Sequence, residues 1–176
     1  MPEKRPILLR TFMKDAGTHA IAVGFPLKVH FAFDAEHVRL AHGWRDRFLD
    51  ARGTWFVRFT PPAVPLGIDP VNFPAGVPLA VLEDQTSAWP VSGFEESQAA
   101  HSDYRFLGSR LNAAGVPTFL YQYSGFDVED QIRPDQKKGL RRQLKIFRGQ
   151  GATSAMLWMR PHFGRTLQQN TPLSYT

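Results

Sequence analysis

The sequence predicts an all-β protein, an antiparallel two-sheet β-sandwich of about nine strands joined by long, proline-rich loops. Three observations predict this class. Many turn-forming residues (14 Pro and 14 Gly) accompany many aromatic ones (14 Phe among 176 residues), a composition typical of sheet proteins. Short apolar segments recur between turn residues, and no segment is convincingly helical. A closed barrel is the alternative, because strand number alone does not determine closure.

Four short segments near the N-terminus have the composition or the alternation of strands. They are residues 7–12, 20–25, 29–34 and 38–44. In the third, Val29, Phe31 and Phe33 fall on one side, and this two-residue period is typical of a half-buried strand. The turn at 34–37 is short enough for a hairpin, so we expect the third and fourth segments to pair antiparallel.

The middle of the chain has a different pattern. Residues 45–55 mix charged and large apolar side chains without a strand period, and predict a short helical turn or an irregular loop. Residues 60–78 contain six prolines, which disfavour a helix or a central strand and predict an extended surface loop. A short strand at 79–82 and a second long connection at 84–103 follow.

The segment after residue 103 predicts a β-meander, because its apolar runs are separated by turn residues. The predicted strands are 104–111, 118–123, 127–132 and 140–147. Turns fall at 112–115 and at Ser124-Gly125. A last strand is predicted at 153–160. We expect one domain over residues 1–165, followed by a polar tail at 166–176.

The net charge of +5 is spread along the chain, and its densest cluster lies near the last predicted meander strand. The cluster comprises Lys137, Lys138, Arg141, Arg142, Lys145 and Arg148. Arg142 falls in register with Leu140 and Leu144, whereas Arg141 and Lys145 face the other way. A solvated strand face explains this pattern, so we expect no nucleic-acid partner.

Composition also limits the chemistry. The chain has no cysteine, which excludes disulfides, thiolate metal sites and covalent haem attachment within it. The six histidines lack ligand spacing, so we expect no metal site and no cofactor in this chain. No nucleophile elbow, phosphate-binding loop or dinucleotide fingerprint is present. No apolar run approaches the ~20 residues of a membrane span, and the N-terminal residues lack the apolar centre of a signal peptide.

Tryptophan near charged residues gives the strongest indication of a binding surface. Trp44, Arg47, Asp50 and Trp55 cluster in an irregular segment between predicted strands, where recognition residues commonly lie. Aromatic rings beside charged groups bind sugars in many β-sandwich domains, although core packing is the default for tryptophan. We therefore expect these four residues to form a ligand-binding surface.

Two alternatives remain open at this point. A sugar-active enzyme on a β-sandwich scaffold would use carboxylates and histidines, for which the candidates are His30, Asp34, His37 and Glu129. Such an enzyme requires a pocket where a carboxylate and a histidine converge. A purely structural spacer domain requires neither a concave site nor an exposed tryptophan.

A succession of short motifs resembles a known but uncharacterised domain. The motifs are R-T-F-M at 10–13, G-T-H-A-I-A-V-G at 17–24, F-L-D at 48–50, F-L-G-S-R-L at 106–111 and G-V-P-T-F at 115–119, with Trp44 and Trp55 between them. They resemble a domain found beside c-type cytochrome modules in large exported proteins of planctomycete-type bacteria. The haem-attaching Cys-X-X-Cys-His of those modules is missing from this chain.

The resemblance implies a companion domain of a redox module, with any electron transfer carried by the partner. It also implies a periplasmic or exported setting. Together with the tryptophan cluster, it leads us to expect a non-catalytic accessory domain that binds carbohydrate or docks a c-type cytochrome module. The motifs read as structural features, so no catalytic residue is implied by them.

Overall fold

Antiparallel strands make up most of the structure, as the sequence predicts. The structure is a computed structural model that describes residues 5–58, 60–73, 78–84, 86–89, 104–136, 139–149 and 156–159. Within these ranges no sheet closes into a barrel. The predicted tail at 166–176, most of the connection at 84–103 and the start of the strand predicted at 153–160 lie outside the described residues.

The strands and the short helix of the described residues follow one another along the chain. They are β1 (Ile7–Met13), β2 (Gly17–Gly24), β3 (Val29–Asp34), β4 (Arg39–Arg45), β5 (Leu49–Asp50), α1 (Arg52–Phe56), β6 (Val64–Pro65), β7 (Ile68–Asn72), β8 (Leu79–Val81), β9 (Tyr104–Leu111), β10 (Pro117–Tyr123), β11 (Phe126–Asp135), β12 (Gly139–Arg148) and β13 (Leu157–Met159).

These strands form two larger sheets and two separate strand pairs. The larger sheets have the strand orders β1-β2-β3-β4-β7 and β12-β11-β10-β9, and the pairs are β5-β6 and β8-β13. The predicted meander is confirmed as the four-stranded sheet. Its tightest turn is Ser124-Gly125, where both residues have positive φ, as a two-residue type I′ hairpin turn requires.

The two larger sheets pack face to face and enclose the main core. Phe33 of β3 stacks on Phe119 of β10 with ring centroids 4.1 Å apart, and Phe31 meets the same ring edge-on. Burying each such ring contributes about 1.5–3 kcal/mol. The predicted β-sandwich is therefore confirmed, and six of the 14 buried residues of its main core are aromatic.

The five-stranded sheet is also buried on its second face. That face carries Ala20, Ala22, Ala32 and Ala41, and it is covered by residues 46–58 and 60–66, which contain β5, α1 and β6. Small side chains let the segment approach closely. Phe48 packs over Gly24, where a Cβ would lie only 2.8 Å from the phenylalanine ring. We call residues 46–58 and 60–66 the covering layer.

One prediction for the middle of the chain is wrong. Residues 60–78 were expected to be an extended loop, but β6 and β7 lie within them, and β7 extends the five-stranded sheet by pairing with β4. The physical reason is that β7 is an edge strand. Pro70 lacks a backbone N–H, which an edge position tolerates and a central one does not. By contrast, the short helical turn expected within 45–55 is present as the start of α1.

A buried ion pair lies between the two larger sheets. Asp130 of β11 is fully buried and accepts hydrogen bonds from Arg142 of β12, with an Nη2–Oδ2 distance of 2.6 Å. The Arg142 Nε lies 3.0 Å from Oδ1, so the contact is bidentate. Both residues are on the strand face that carries Val128 and Ile132. Arg142 thus shares the strand face of Leu140 and Leu144, as the alternation in the sequence predicts.

Candidate functional site

An open groove lies where the covering layer meets β1. It has a volume of about 770 Å³ and is lined by Leu9, Leu49, Asp50, Ala51, Arg52, Trp55 and Phe56. Leu9 points to this side because its neighbour Leu8 packs into the main core, and side chains alternate along a strand. The groove therefore lies on the opposite face of the five-stranded sheet from the main core.

Local backbone contacts position the groove residues. The Asp50 carboxylate accepts a hydrogen bond from the backbone N–H of Arg52, with an N–Oδ1 distance of 3.0 Å. This contact directs the chain from β5 into α1. The backbone N–H of Trp55 donates to the carbonyl of Ala51, which completes the first helical turn. As a result, Asp50, Arg52 and Trp55 border the same groove.

Two aromatic rings are unusually exposed at this groove. Trp55 is 62% exposed and Phe56 is 83% exposed, while the neighbouring Val57 is 56% exposed. Large apolar side chains at adjacent positions rarely project into water unless they contact something else. The groove thus combines apolar ring surface with one carboxylate and one guanidinium group.

Trp44 lies elsewhere, and the expectation that it forms part of an exposed surface is wrong. Its side chain is 2% exposed and packs beneath the covering layer, stacked on Phe48. The indole Nε1–H donates to the backbone carbonyls of Arg47 (3.0 Å) and Phe48 (2.6 Å). Trp44 lies on the same sheet face as the alanines, and its large ring fills the space that their small side chains leave beneath the covering layer.

The other predicted binding residues divide into two groups. Asp50 and Trp55 both line the groove, whereas Arg47 is exposed but is not part of its lining. The sequence interpretation missed Leu9, Arg52 and Phe56. Phe56 could have been found from its position beside Trp55. Leu9 could not, because nothing local indicates that the covering layer folds back over β1.

The four candidate catalytic residues do not converge. Asp34 and His37 meet at the turn between β3 and β4, where the His37 Nδ1 lies 2.8 Å from the Asp34 Oδ2. His30 is buried next to Asp46, whose carbonyl lies 2.9 Å from its Nε2. Glu129 pairs with Arg110 at 2.7 Å on the four-stranded sheet. None of these four residues borders the groove.

The Asp34 cluster has the features of a structural turn. Asp34 Oδ1 accepts hydrogen bonds from the backbone N–H groups of Glu36 and His37, and Oδ2 accepts one from the Arg39 Nε at 3.2 Å. Burial alone would raise the pKa of Asp34, but hydrogen bonding and charge from His37 and the charge of Arg39 outweigh it, so the pKa is lowered. The carboxylate thus holds a tight turn in which Val38 has a positive φ of 51°.

His37 gives this turn a pH dependence. The hydrogen bond to Asp34 raises the pKa of His37, while burial opposes the shift in part. The His37 imidazole binds its proton more tightly in the folded state than in the unfolded chain. Its contribution to the free energy of unfolding is therefore fully present below about pH 6.5 and is lost as the pH rises through the folded-state pKa of His37. Asp34 stays ionised over this range because its own pKa is lowered.

We therefore expect the free energy of unfolding of wild type to exceed that of His37→Gln by more at pH 5.5 than at pH 8.5. Burial lowers the pKa of His30, which has the opposite pH dependence, but His30 is present in both proteins and cancels in the difference. Urea unfolding at several pH values measures this. A difference that is independent of pH would show that His37 stabilises the turn without its proton.

The described residues were also searched for membrane-spanning helices and for metal-binding groups. None of their helices is long and apolar enough to cross a bilayer. They contain no group of three or more His, Asp or Glu residues placed to hold a metal ion.

The comparison with protein-family models found no match, and those with curated proteins and with solved structures found no significant match. The resemblance to cytochrome-associated domains therefore stays a prediction.

Proposed function

We propose that this chain is a non-catalytic accessory domain that binds carbohydrate in the groove between β1 and the covering layer. The observation that carries the proposal is the position of Trp55, whose ring is largely exposed beside Asp50 and Arg52 in an open groove. The exported setting implied by the resemblance belongs to the same proposal.

The groove has the two kinds of surface that a sugar ring requires. The C–H face of a sugar packs against an exposed aromatic ring, for which Trp55 and Phe56 are available. The hydroxyl groups need charged or polar partners, which Asp50 and Arg52 supply. Leu9 and Leu49 complete an apolar floor. An open groove, unlike a closed pocket, suits one face of an extended oligosaccharide.

We expect Trp55→Ala to abolish binding while leaving the domain folded. A sugar at about 100 times its dissociation constant contributes about 2.7 kcal/mol, which raises the unfolding temperature by a few degrees. The measurement is a thermal-shift screen of wild type and variant against a panel of monosaccharides and oligosaccharides. Ile68→Ala is the matched control, because Ile68 is a similarly exposed apolar residue outside the groove lining.

Three results are informative. A shift with one sugar class that disappears in Trp55→Ala and persists in Ile68→Ala supports the proposal. A shift that both variants retain places the sugar at another surface. The absence of a shift with every sugar in the panel counts against carbohydrate and favours the second candidate below.

Docking of a redox partner is the second candidate, and a separate observation favours it. Phe56 and Val57 are adjacent apolar residues with 83% and 56% exposure, and contiguous exposed apolar residues commonly mark protein interfaces. The resemblance implies a c-type cytochrome module as the partner. Titration with a c-type cytochrome would test it, and Phe56→Ala should weaken binding more than Ile68→Ala.

The enzyme alternative has less support. Its requirement was a pocket in which a carboxylate and a histidine converge, but Asp34 and His37 lie in a turn away from the groove. The carboxylate that does line the groove, Asp50, makes its hydrogen bond to the backbone of Arg52.

A further inference from the structure

The outer face of the four-stranded sheet forms a second distinctive surface, on the opposite side of that sheet from the main core. Five basic residues project from it, which we call the basic face. They are Arg105, Arg110, Arg133, Arg141 and Lys145, and all are exposed. Their orientation follows from the alternation of the strands, whose intervening residues enter the main core.

The acidic groups on this face do not neutralise it. Glu129 is paired with Arg110, and Asp127 accepts a hydrogen bond from the Gln122 side chain at 2.8 Å. Among the described residues, Arg105, Arg133 and Lys145 form no ion pair. Asp127 and Glu129 are half-buried and Asp135 pairs with Arg141, so the five cations outnumber the three carboxylates on this face.

One pairing on the basic face is electrostatically unfavourable. Arg133 of β11 lies directly opposite Arg141 of β12 in the strand register. Like charges at directly opposed positions destabilise a sheet. Arg141 is partly compensated by the exposed Asp135, whose Oδ1 lies 3.4 Å from its Nη2. Arg133 has no such partner among the described residues, and a bound anion between the two guanidinium groups would remove the repulsion.

The neighbouring side chains indicate which kind of anion fits. Gln122 and Gln131 lie on the same face but donate to Asp127 and to Thr118, whereas Gln143 is exposed and can offer its amide to a hydroxyl. Phe147 is the one aromatic residue that these described strands expose on this face. A single-stranded nucleic acid needs a series of aromatic rings for base stacking, which this face lacks.

We propose that the basic face binds an acidic polysaccharide, with Arg133, Arg141 and Lys145 contacting its carboxylate or sulfate groups and Gln143 contacting its hydroxyls. This site is separate from the groove. Loss of polysaccharide binding at the basic face and loss of sugar binding in the groove can therefore be measured independently.

The test compares two triple variants that lose the same charge. Arg133→Gln/Arg141→Gln/Lys145→Gln removes the basic face, and Lys14→Gln/Arg47→Gln/Arg58→Gln removes three exposed cations elsewhere. The probe is polygalacturonate, with neutral dextran as the uncharged comparison, in affinity electrophoresis at low and moderate salt. We expect wild type and the second variant to be retarded by polygalacturonate, and the first variant to bind at least tenfold more weakly.

Each outcome decides the proposal. If both triple variants bound polygalacturonate equally weakly, the polysaccharide would be attracted by the net charge of the protein alone, and the proposal would be overturned. Tighter binding of single-stranded or duplex DNA than of polygalacturonate would also overturn it, in favour of a nucleic acid. Arg133→Gln alone keeps the test valid should the triple variant unfold, because it removes a like-charge pair and should not destabilise the sheet. Trp55→Ala should leave polygalacturonate binding unchanged.

Discussion

Replacing Asp130 by asparagine should lower the free energy of unfolding by about 3–5 kcal/mol. Asp130 is fully buried between the sheets and provides both carboxylate oxygens to the Arg142 guanidinium group. The asparagine retains the shape but not the charge, so the guanidinium loses the charge of Asp130 while it stays inside the sandwich. Removing one partner of a buried pair costs far more than the pair contributes, because the remaining charge stays desolvated.

Urea unfolding of single and double variants measures this effect. The double variant Asp130→Leu/Arg142→Met should recover most of the lost stability, since a buried pair replaced by apolar residues of similar size is often neutral. Arg110→Gln, which breaks the pair between the exposed Arg110 and Glu129 on the outer face of the same sheet, is the matched control and should cost only about 0–1 kcal/mol. A small effect of Asp130→Asn would indicate that water reaches the pair.

The strands and their order in the chain could be predicted because local patterns specify them. The alternation of Val29, Phe31 and Phe33 indicates a strand with one face in the core. The Ser124-Gly125 dipeptide fixes the register between β10 and β11. These signals involve residues close in sequence, and each was confirmed in position to within a few residues.

The burial of the second sheet face was not predictable in the same way. The alanines of β2, β3 and β4 could equally belong to a solvated face, because alanine is compatible with either environment. Their role depends on the covering layer, which comes from a segment without strand periodicity. Trp44 was misplaced for this reason, and β7 was missed because its single proline, Pro70, is compatible with an edge strand as well as with a loop.

The candidate groove was accordingly predicted in part. Asp50 and Trp55 were chosen because they lie in an irregular segment, and that segment does form one wall of the groove. The opposite wall, Leu9, comes from a strand that is more than forty residues earlier in the chain. Contacts of this kind depend on the tertiary fold, which no local pattern contains.

Trp44→Ala should be the second large effect, with a loss of about 3–5 kcal/mol in the free energy of unfolding. The indole fills the space between the alanine-rich sheet face and Phe48. Its Nε1–H also satisfies the carbonyls of Arg47 and Phe48, which fixes the path of the covering layer. The variant removes both the packing and the hydrogen bonds, so the wall of the groove loses its support.

Trp44→Phe separates these contributions and distinguishes a supporting residue from a binding one. It retains much of the ring packing but leaves two carbonyls without the indole donor, which should cost about 1–3 kcal/mol. At a temperature where it remains folded, this variant should bind any ligand of the groove nearly as wild type does, because Trp44 is 2% exposed. Trp55→Ala should show the converse, with stability close to wild type and binding lost. If Trp44→Phe instead abolished binding without loss of stability, Trp44 would have to reach the ligand itself, and the covering layer would have to open for it to do so.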